Sequence, residues 1–270
     1  MFLKILRLSH FLLIYSVSAF ASQDNVEITF LDTGYADAIL INAPGGRNVL
    51  LDGGDVKKPE LVAEFLKTKK TGSLEMIILS HPHKNHFGAL FRVLDEINIR
   101  EIVWNGEPNQ EEPFPDFLKK IKEKNIPLRV VRAGEILKIT ENLTFTVFHP
   151  SGEFHSNINN NSLVLKMEHG KTSVLFTTDI GTLVQDDLIE KFGENLTADL
   201  VQIPHHGGPI SQKFTDFFKP DFFALSTGPN EWDLNFESHI AKLQSPVIRT
   251  DKMGNLVFYS DGKKIRRAAA

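Results

Sequence analysis

From Val26 onward, short apolar runs alternate with turn residues, and longer stretches with apolar positions at helical spacing fall between them. Val26–Leu31, Ala38–Ile41 and Asn48–Leu51 read as strands, bounded by Pro44-Gly45-Gly46 and Asp52-Gly53-Gly54. Leu61, Val62, Phe65 and Leu66 share a helix face, with Pro59 near its start, which predicts a helix from Pro59 to Lys69. The strand Met76–Leu79 follows, then a helix from Gly88 to Ile97 and the strand Ile102–Trp104. An amphipathic helix over Pro113–Lys124 leads into strands at Leu128–Val131, Ile136–Ile139 and Leu143–Phe148. Ser162–Met167 and Ser173–Thr177 form a hairpin across His169-Gly170-Lys171. The rest alternates: helix Thr182–Phe192, strand Leu200–Ile203, helix Ser211–Phe218, strand Phe222–Ser226, helix Phe236–Leu243, and strands Val247–Arg249 and Leu256–Tyr259. Two strand-rich halves interleaved with helices predict stacked sheets flanked by helices, with no internal repeat and no linker.

The first 21 residues break this pattern. Lys4 and Arg7 precede a mostly apolar run from Phe11 to Phe20, and Ala19-Phe20-Ala21 fits an A-x-A cleavage site. The expectation is a signal peptide at 1–21, an exported (periplasmic or secreted) protein, no stable membrane insertion after cleavage, and one domain over 22–268. The chain has no Cys, so stability comes from the core and from any bound metal. Any metal site must then use His, carboxylate, amide or water ligands. Removing Lys4 and Arg7 takes the formal charge from −4 to −6. That balance disfavours tight, sequence-independent nucleic-acid binding, which depends on neutralising phosphates.

The chemistry concentrates at strand ends. Directly after Met76–Leu79 comes Ser80-His81-Pro82-His83-Lys84-Asn85-His86-Phe87-Gly88, three histidines in H-x-H-x-x-H spacing. Imidazole nitrogens suit zinc and its first-row neighbours. Asn85 stands where a metal-binding carboxylate is expected. Asp179 follows the strand before it, His205 and His206 follow Leu200–Ile203, His149 ends another strand, and Asn159, Asn160 and Asn161 precede Ser162. Each has a plain structural alternative: Asp179 as a helix cap, His149 as a packed histidine, the Asn run as a turn.

The order of these motifs resembles the metallo-β-lactamase fold superfamily, and in detail its ComEC-like hydrolase branch. Phe30-Leu31-Asp32-Thr33-Gly34-Tyr35-Ala36-Asp37-Ala38-Ile39-Leu40 is similar to F-L-D-V-G-x-G-D-A-I-L, and Leu50-Leu51-Asp52-Gly53-Gly54 to L-I-D-G-G. Ser80 to Gly88 corresponds to T-H-P-H-x-D-H-x-G, and Asn160 to Leu165 to N-N-x-S-L-V-L. Thr177-Thr178-Asp179 stands at T-G-D, Pro204 to Gly208 resembles H-H-G-S, and Arg249-Thr250-Asp251 matches R-T-D.

The resemblance implies an α/β fold, a four-layer α/β/β/α sandwich, with metals in a groove along one sheet edge. It implies that His81 and His83 bind a first metal. His86, Asn85 and one of the paired histidines, taken as His205, bind a second, and Asp179 bridges them. Asn160 or Asn161 lines the first site. His206 and His239 contact substrate or protonate a leaving group, and Asp179 assists proton transfer. The implied cofactor is one or two Zn2+ ions, with Mn2+ as the alternative. The implied reaction is phosphoester or phosphodiester hydrolysis by metal-activated hydroxide. Asn85 is the main departure, because an amide brings no charge and accepts no proton. It leaves a second reading open, a catalytically degenerate binding or scaffolding module.

Overall fold

The computed structural model describes residues 24–228 and 235–268, so the expected signal peptide at 1–21 lies outside the described residues. Two sheets face one another. The first has eight strands in the spatial order Ile265–Arg267, Leu256–Ser260, Val26–Phe30, Ile39–Asn42, Val49–Leu51, Met76–Leu79, Ile102–Trp104 and Leu128–Val130. The second has seven, in the order Val247–Arg249, Phe222–Leu225, Leu200–Gln202, Thr172–Phe176, Val164–His169, Leu143–His149 and Ile136–Lys138. Both sheets are mixed. Antiparallel hairpins open each half, and parallel pairs appear where helices cross over, as between Val49–Leu51 and Met76–Leu79 and between Thr172–Phe176 and Leu200–Gln202.

The strands read as near-continuous apolar runs because both faces of each sheet are covered. Along Ile39–Asn42 the side chains alternate: Ile39 and Ile41 enter the core between the sheets, while Leu40 points outward under helices. Met76 and Ile78 against Ile77 and Leu79 repeat the division. In the second sheet Leu143, Phe145 and Val147 point inward and Phe148 outward. Each buried side chain of this size contributes about 1.5–3 kcal/mol relative to exposure, so a one-residue slip of register is strongly disfavoured.

Helices Leu61–Thr68, Leu90–Glu96 and Phe114–Glu123 cover the outer face of the first sheet. Thr182–Phe192, Gln212–Phe217 and Phe236–Ile240 cover that of the second. Three apolar cores thus separate four layers, the α/β/β/α order expected from the motifs. Beyond the expected elements are the small parallel pair Ser73–Leu74 with Asn98–Ile99, the edge strand Ile265–Arg267, and the four-residue helices Lys84–Phe87 and Thr250–Met253. Among the described residues no helix is long and apolar enough to cross a membrane.

Candidate metal centre

Met76–Leu79 ends at Ser80, and the chain turns through His81 and His83 into the helix Lys84–Phe87. Phe87 pins that helix from below. Its ring lies 5.1 Å from Phe114 and 5.2 Å from Phe117, within an apolar layer that also holds Trp104. Gly88 lets the loop after Gly54 pass directly over the helix end: a Cβ there would sit 2.1 Å from the Val56 backbone nitrogen and 2.5 Å from the Lys84 carbonyl oxygen. No larger residue fits that approach.

Behind the loop, buried Asp52 fixes the imidazoles. Its Oδ1 accepts from the Ser80 backbone N–H (2.8 Å), and its Oδ2 from the Ser80 hydroxyl (2.7 Å) and His86 Nδ1 (2.8 Å). The Ser80 oxygen in turn accepts from His81 Nδ1 at 2.9 Å. With Nδ1 of both His81 and His86 donating toward Asp52, Nε2 is the atom each ring turns toward the facing sheet, the arrangement that orients metal-binding histidines, and His86 Nε2 lies 3.1 Å from Asp179 Oδ2. His81 Nε2 meets His83 Nδ1 at 3.0 Å.

The facing sheet delivers Asp179 and the His205–His206 pair through strained turns. Thr178, His205 and His206 have φ of 46°, 50° and 54°, left-handed values uncommon outside glycine. Thr178 is held there by its hydroxyl on the Leu163 carbonyl (2.8 Å) and its N–H on Gln202 Oε1 (3.1 Å), and its carbonyl accepts from His205 N–H (2.8 Å). Four imidazoles converge on the buried Asp179. His86, His81 and His205 Nε2 lie 3.1, 3.8 and 3.9 Å from Oδ2, and His206 Nε2 lies 3.6 Å from Oδ1. His206 Nδ1 donates to the Ser226 carbonyl at 3.1 Å, which again leaves Nε2 pointing inward. Thr250, from the Arg-Thr-Asp motif, braces that strand end by accepting from the Thr227 N–H and donating to its carbonyl, both at 2.8 Å.

The electrostatics follow from burial. Desolvation pushes His81 well below the ordinary histidine value and His83 and His205 below it. For His86, burial works against the charge, but Asp179 and Asp52 more than offset it and hold the ring well above that value. Burial likewise opposes ionisation of Asp179, yet His86 and His206 hold its carboxyl well below the usual carboxylate range. Asp37, His86, Asp179 and His206, all buried, place one ligand atom each within 4.8 Å of one another. Asp179 Oδ1 has no hydrogen-bond partner among the described residues. A buried cluster of nitrogen and carboxylate donors with an unsatisfied carboxylate oxygen fits a divalent cation.

Comparison with known proteins decides the family. The model for the metallo-beta-lactamase superfamily matches residues 31–220. The chain belongs to that superfamily. Among its curated relatives, ComE operon protein 3 of Bacillus subtilis (strain 168) is 26% identical over 259 residues, covering 86% of this chain and 33% of the relative. Ribonuclease J of Methanocaldococcus jannaschii is 26% identical over 246 residues, covering 84% of this chain and 53% of the relative. The chain spans about a third of the first relative's length. The solved metallo-beta-lactamase fold protein YhfI from Bacillus subtilis aligns with a TM-score of 0.57 at 12% identity, over 87% of this chain and 100% of that one. That likeness shows the fold, and the competence-protein relatives agree with the ComEC-like branch.

Within this superfamily member, His81, His83, His86 and Asp179 are brought together. The histidine pair sits the other way round from expectation. His206 is buried inside the donor cluster, whereas His205 is partly exposed, with Nε2 3.1 Å from Asn159 Nδ2. Two successive left-handed residues aim the neighbouring rings into different places, a geometry invisible in the dipeptide. Asn85 is at the cluster's edge: its amide nitrogen contacts His206 Nε2 at 3.0 Å and the Tyr35 carbonyl at 3.4 Å.

His239 lies on Phe236–Ile240, the helix whose Phe236 packs on Gly207, and is neither in the donor cluster nor in the cleft described below. The Asn run also differs from expectation, since Asn159 faces the site. Asn160 Oδ1 instead accepts from Gly181 N–H (2.9 Å), and buried Asn161 ties Glu107 and His155 (2.7 Å each). His149 donates from Nε2 to the Asn160 carbonyl at 2.8 Å. The roles of Asp37 and Asp52 were missed. Both stand in the quoted motifs, but nothing in those motifs separates them from the exposed Asp32.

A cleft of about 360 Å³ opens over the cluster. Tyr35, Lys57, Lys84, Asn159 and His205 line it above Asp179.

Proposed function

We propose that this chain is an exported metal-dependent hydrolase acting on phosphoesters, with small phosphodiesters as its natural substrate class. The observation that carries the reading is the convergence of four imidazole nitrogens on one buried carboxylate, Asp179, at 3.1–3.9 Å. His81 and His83, with Asp179, would hold one ion, and His86 and His206, with the same Asp179, a second. The nitrogen-rich donor set suits Zn2+, with Mn2+ as the alternative. Bound there, such ions supply Lewis acidity toward a phosphoryl oxygen and acidify water toward neutral pH.

The chain's own groups do the rest. Asp52 keeps the Nδ1 protons of His86 and, through Ser80, of His81 away from the cleft, so both Nε2 atoms stay available. Asp179 remains ionised at neutral pH and can accept a hydrogen bond from, and so orient, a nucleophilic water at its cleft-facing side. Lys57 brings positive charge to the rim of the cleft beside Asp55, Lys84 is paired there with Glu111 at 2.8 Å, and the burial-lowered His205 is neutral at pH 7, able to hydrogen-bond a substrate oxygen. Ribonuclease J carries a name that places its substrate among phosphodiesters. The acidic balance of this chain favours a smaller one than nucleic acid.

The test is turnover of bis-p-nitrophenyl phosphate by the purified chain supplied with Zn2+ or Mn2+, beside His86→Ala. Metal-dependent turnover lost in His86→Ala supports the reading. A folded chain inactive with every metal supplied favours the binding or scaffolding module instead.

A further inference from the structure

We propose that Asp37 supplies the carboxylate that Asn85 lacks, so that Asp37, His86, Asp179 and His206 together close the second metal position. This rests on the metal-dependent reading above and deepens it.

Asn85 stands where a charged ligand is expected, and its amide contacts the Nε2 of His206. An amide oxygen is a weaker ligand for a divalent ion and brings no charge. Asp37 is 1% exposed and belongs to the group whose ligand atoms all lie within 4.8 Å of one another. Its Oδ1 has no hydrogen-bond partner among the described residues, and neither has Asp179 Oδ1. Two orphaned carboxylate oxygens in one buried cluster are costly unless a cation joins them.

The rest of Asp37 is held firmly. Oδ2 accepts from Gln202 Nε2 at 2.9 Å, and Gln202 Oε1 is itself occupied by the Thr178 N–H at 3.1 Å. That clamp leaves Oδ1 as the free donor atom. The main chain of Asp37 is also tied to Asn85: its N–H donates to the Asn85 carbonyl at 3.3 Å, and its carbonyl accepts from Gly54 N–H at 2.7 Å. Residues 37 and 85 therefore enter the cluster side by side. A carboxylate on one restores the charge absent from the other, and the second position keeps two carboxylates and two imidazoles.

Zn2+ uptake by the metal-stripped full chain, measured by competition with a chromophoric chelator, tests this in wild type, Asp37→Asn, Asn85→Asp and the double variant. Wild type should bind two ions. Asp37→Asn should weaken one step by ~100-fold or more and leave the other within ~3-fold, the double variant should regain the lost step, and Asn85→Asp alone should tighten it by less than ~10-fold. If Asp37→Asn, folded as judged by its metal-free melting, keeps both steps within ~3-fold, the assignment to Asp37 is overturned. A gain well above tenfold from Asn85→Asp overturns it too, and that arm does not depend on how Asp37→Asn folds. A wild-type chain that takes up no Zn2+ sinks the metal-dependent reading itself, and this inference with it.

Discussion

The two proposed metal positions are built from opposite materials. On one side, His81 and His83 meet at 3.0 Å, beside Asp179 Oδ2 and open to a cleft through the partly exposed His83. On the other, His86 and His206 are joined by two buried carboxylates, Asp37 and Asp179, away from solvent. The motif containing Asn85 points to the second position as the weaker. Under the proposed ligand set Asp37 offsets that loss, because affinity in a buried cluster follows the charge the fold delivers, and Asp37 comes from elsewhere in the chain. A substitution inside a ligand motif is therefore judged against every carboxylate the tertiary structure brings within reach.

If that contrast holds, its largest test is the residue common to both sides. Asp179→Asn keeps the shape and removes the shared charge, so both binding steps should weaken by more than ~100-fold in chelator competition. Retention of either step would mean that Asp179 is not shared. Asp52→Asn should act next and unequally. Asp52 touches His86 directly but His81 only through Ser80, so a loss of ~10–100-fold should fall mainly on the second step. Asn tolerates the φ of 56° at that position. Its amide nitrogen, however, would face donors that the buried carboxylate now satisfies, so the variant's metal-free melting should fall as well, and the two steps are compared at a temperature where it stays folded. Equal losses at both steps would erase the difference between the positions.

The smallest effect on binding is expected from His149, which supports the Asn157–Asn161 turn from behind. Burial lowers its pKa from the ordinary 6.5 to about 4, partly offset by the Asn160 carbonyl. Because the folded-state value is depressed, the stabilisation is complete above pH 6.5. It falls away as pH drops from 6.5 toward 4, by up to about 3 kcal/mol. His149→Phe should flatten the wild-type decline in melting temperature across that window and change Zn2+ affinity at pH 7.5 by less than ~3-fold. An unchanged slope would place the acid sensitivity elsewhere.

Much of this was readable in the chain. Strands such as Met76–Leu79 and Ile102–Trp104, and the helix Thr182–Phe192, fall where the apolar pattern puts them, since long periodic segments carry their own signal. The two-residue strands Ser73–Leu74 and Asn98–Ile99 have no period to read. Lys84–Phe87 is helical inside a polar, His-rich motif, where Phe87 alone hints at the buried face. At the site, His81, His83, His86 and Asp179 are marked by spacing and by their place after apolar strands. The division of labour between His205 and His206 is not, because it depends on two left-handed backbone angles. Asp37 and Asp52 depend on partners far away in sequence, Gln202 and His86, and no local pattern encodes such contacts.

The central claim is most directly tested by locating the ions themselves. Anomalous diffraction from crystals of the Zn2+-loaded chain, collected on both sides of the zinc edge, should give two peaks that share Asp179. One belongs beside His81 and His83, the other among Asp37, His86, Asp179 and His206. Peaks elsewhere, or a loaded chain with no peak at Asp179, would contradict the account.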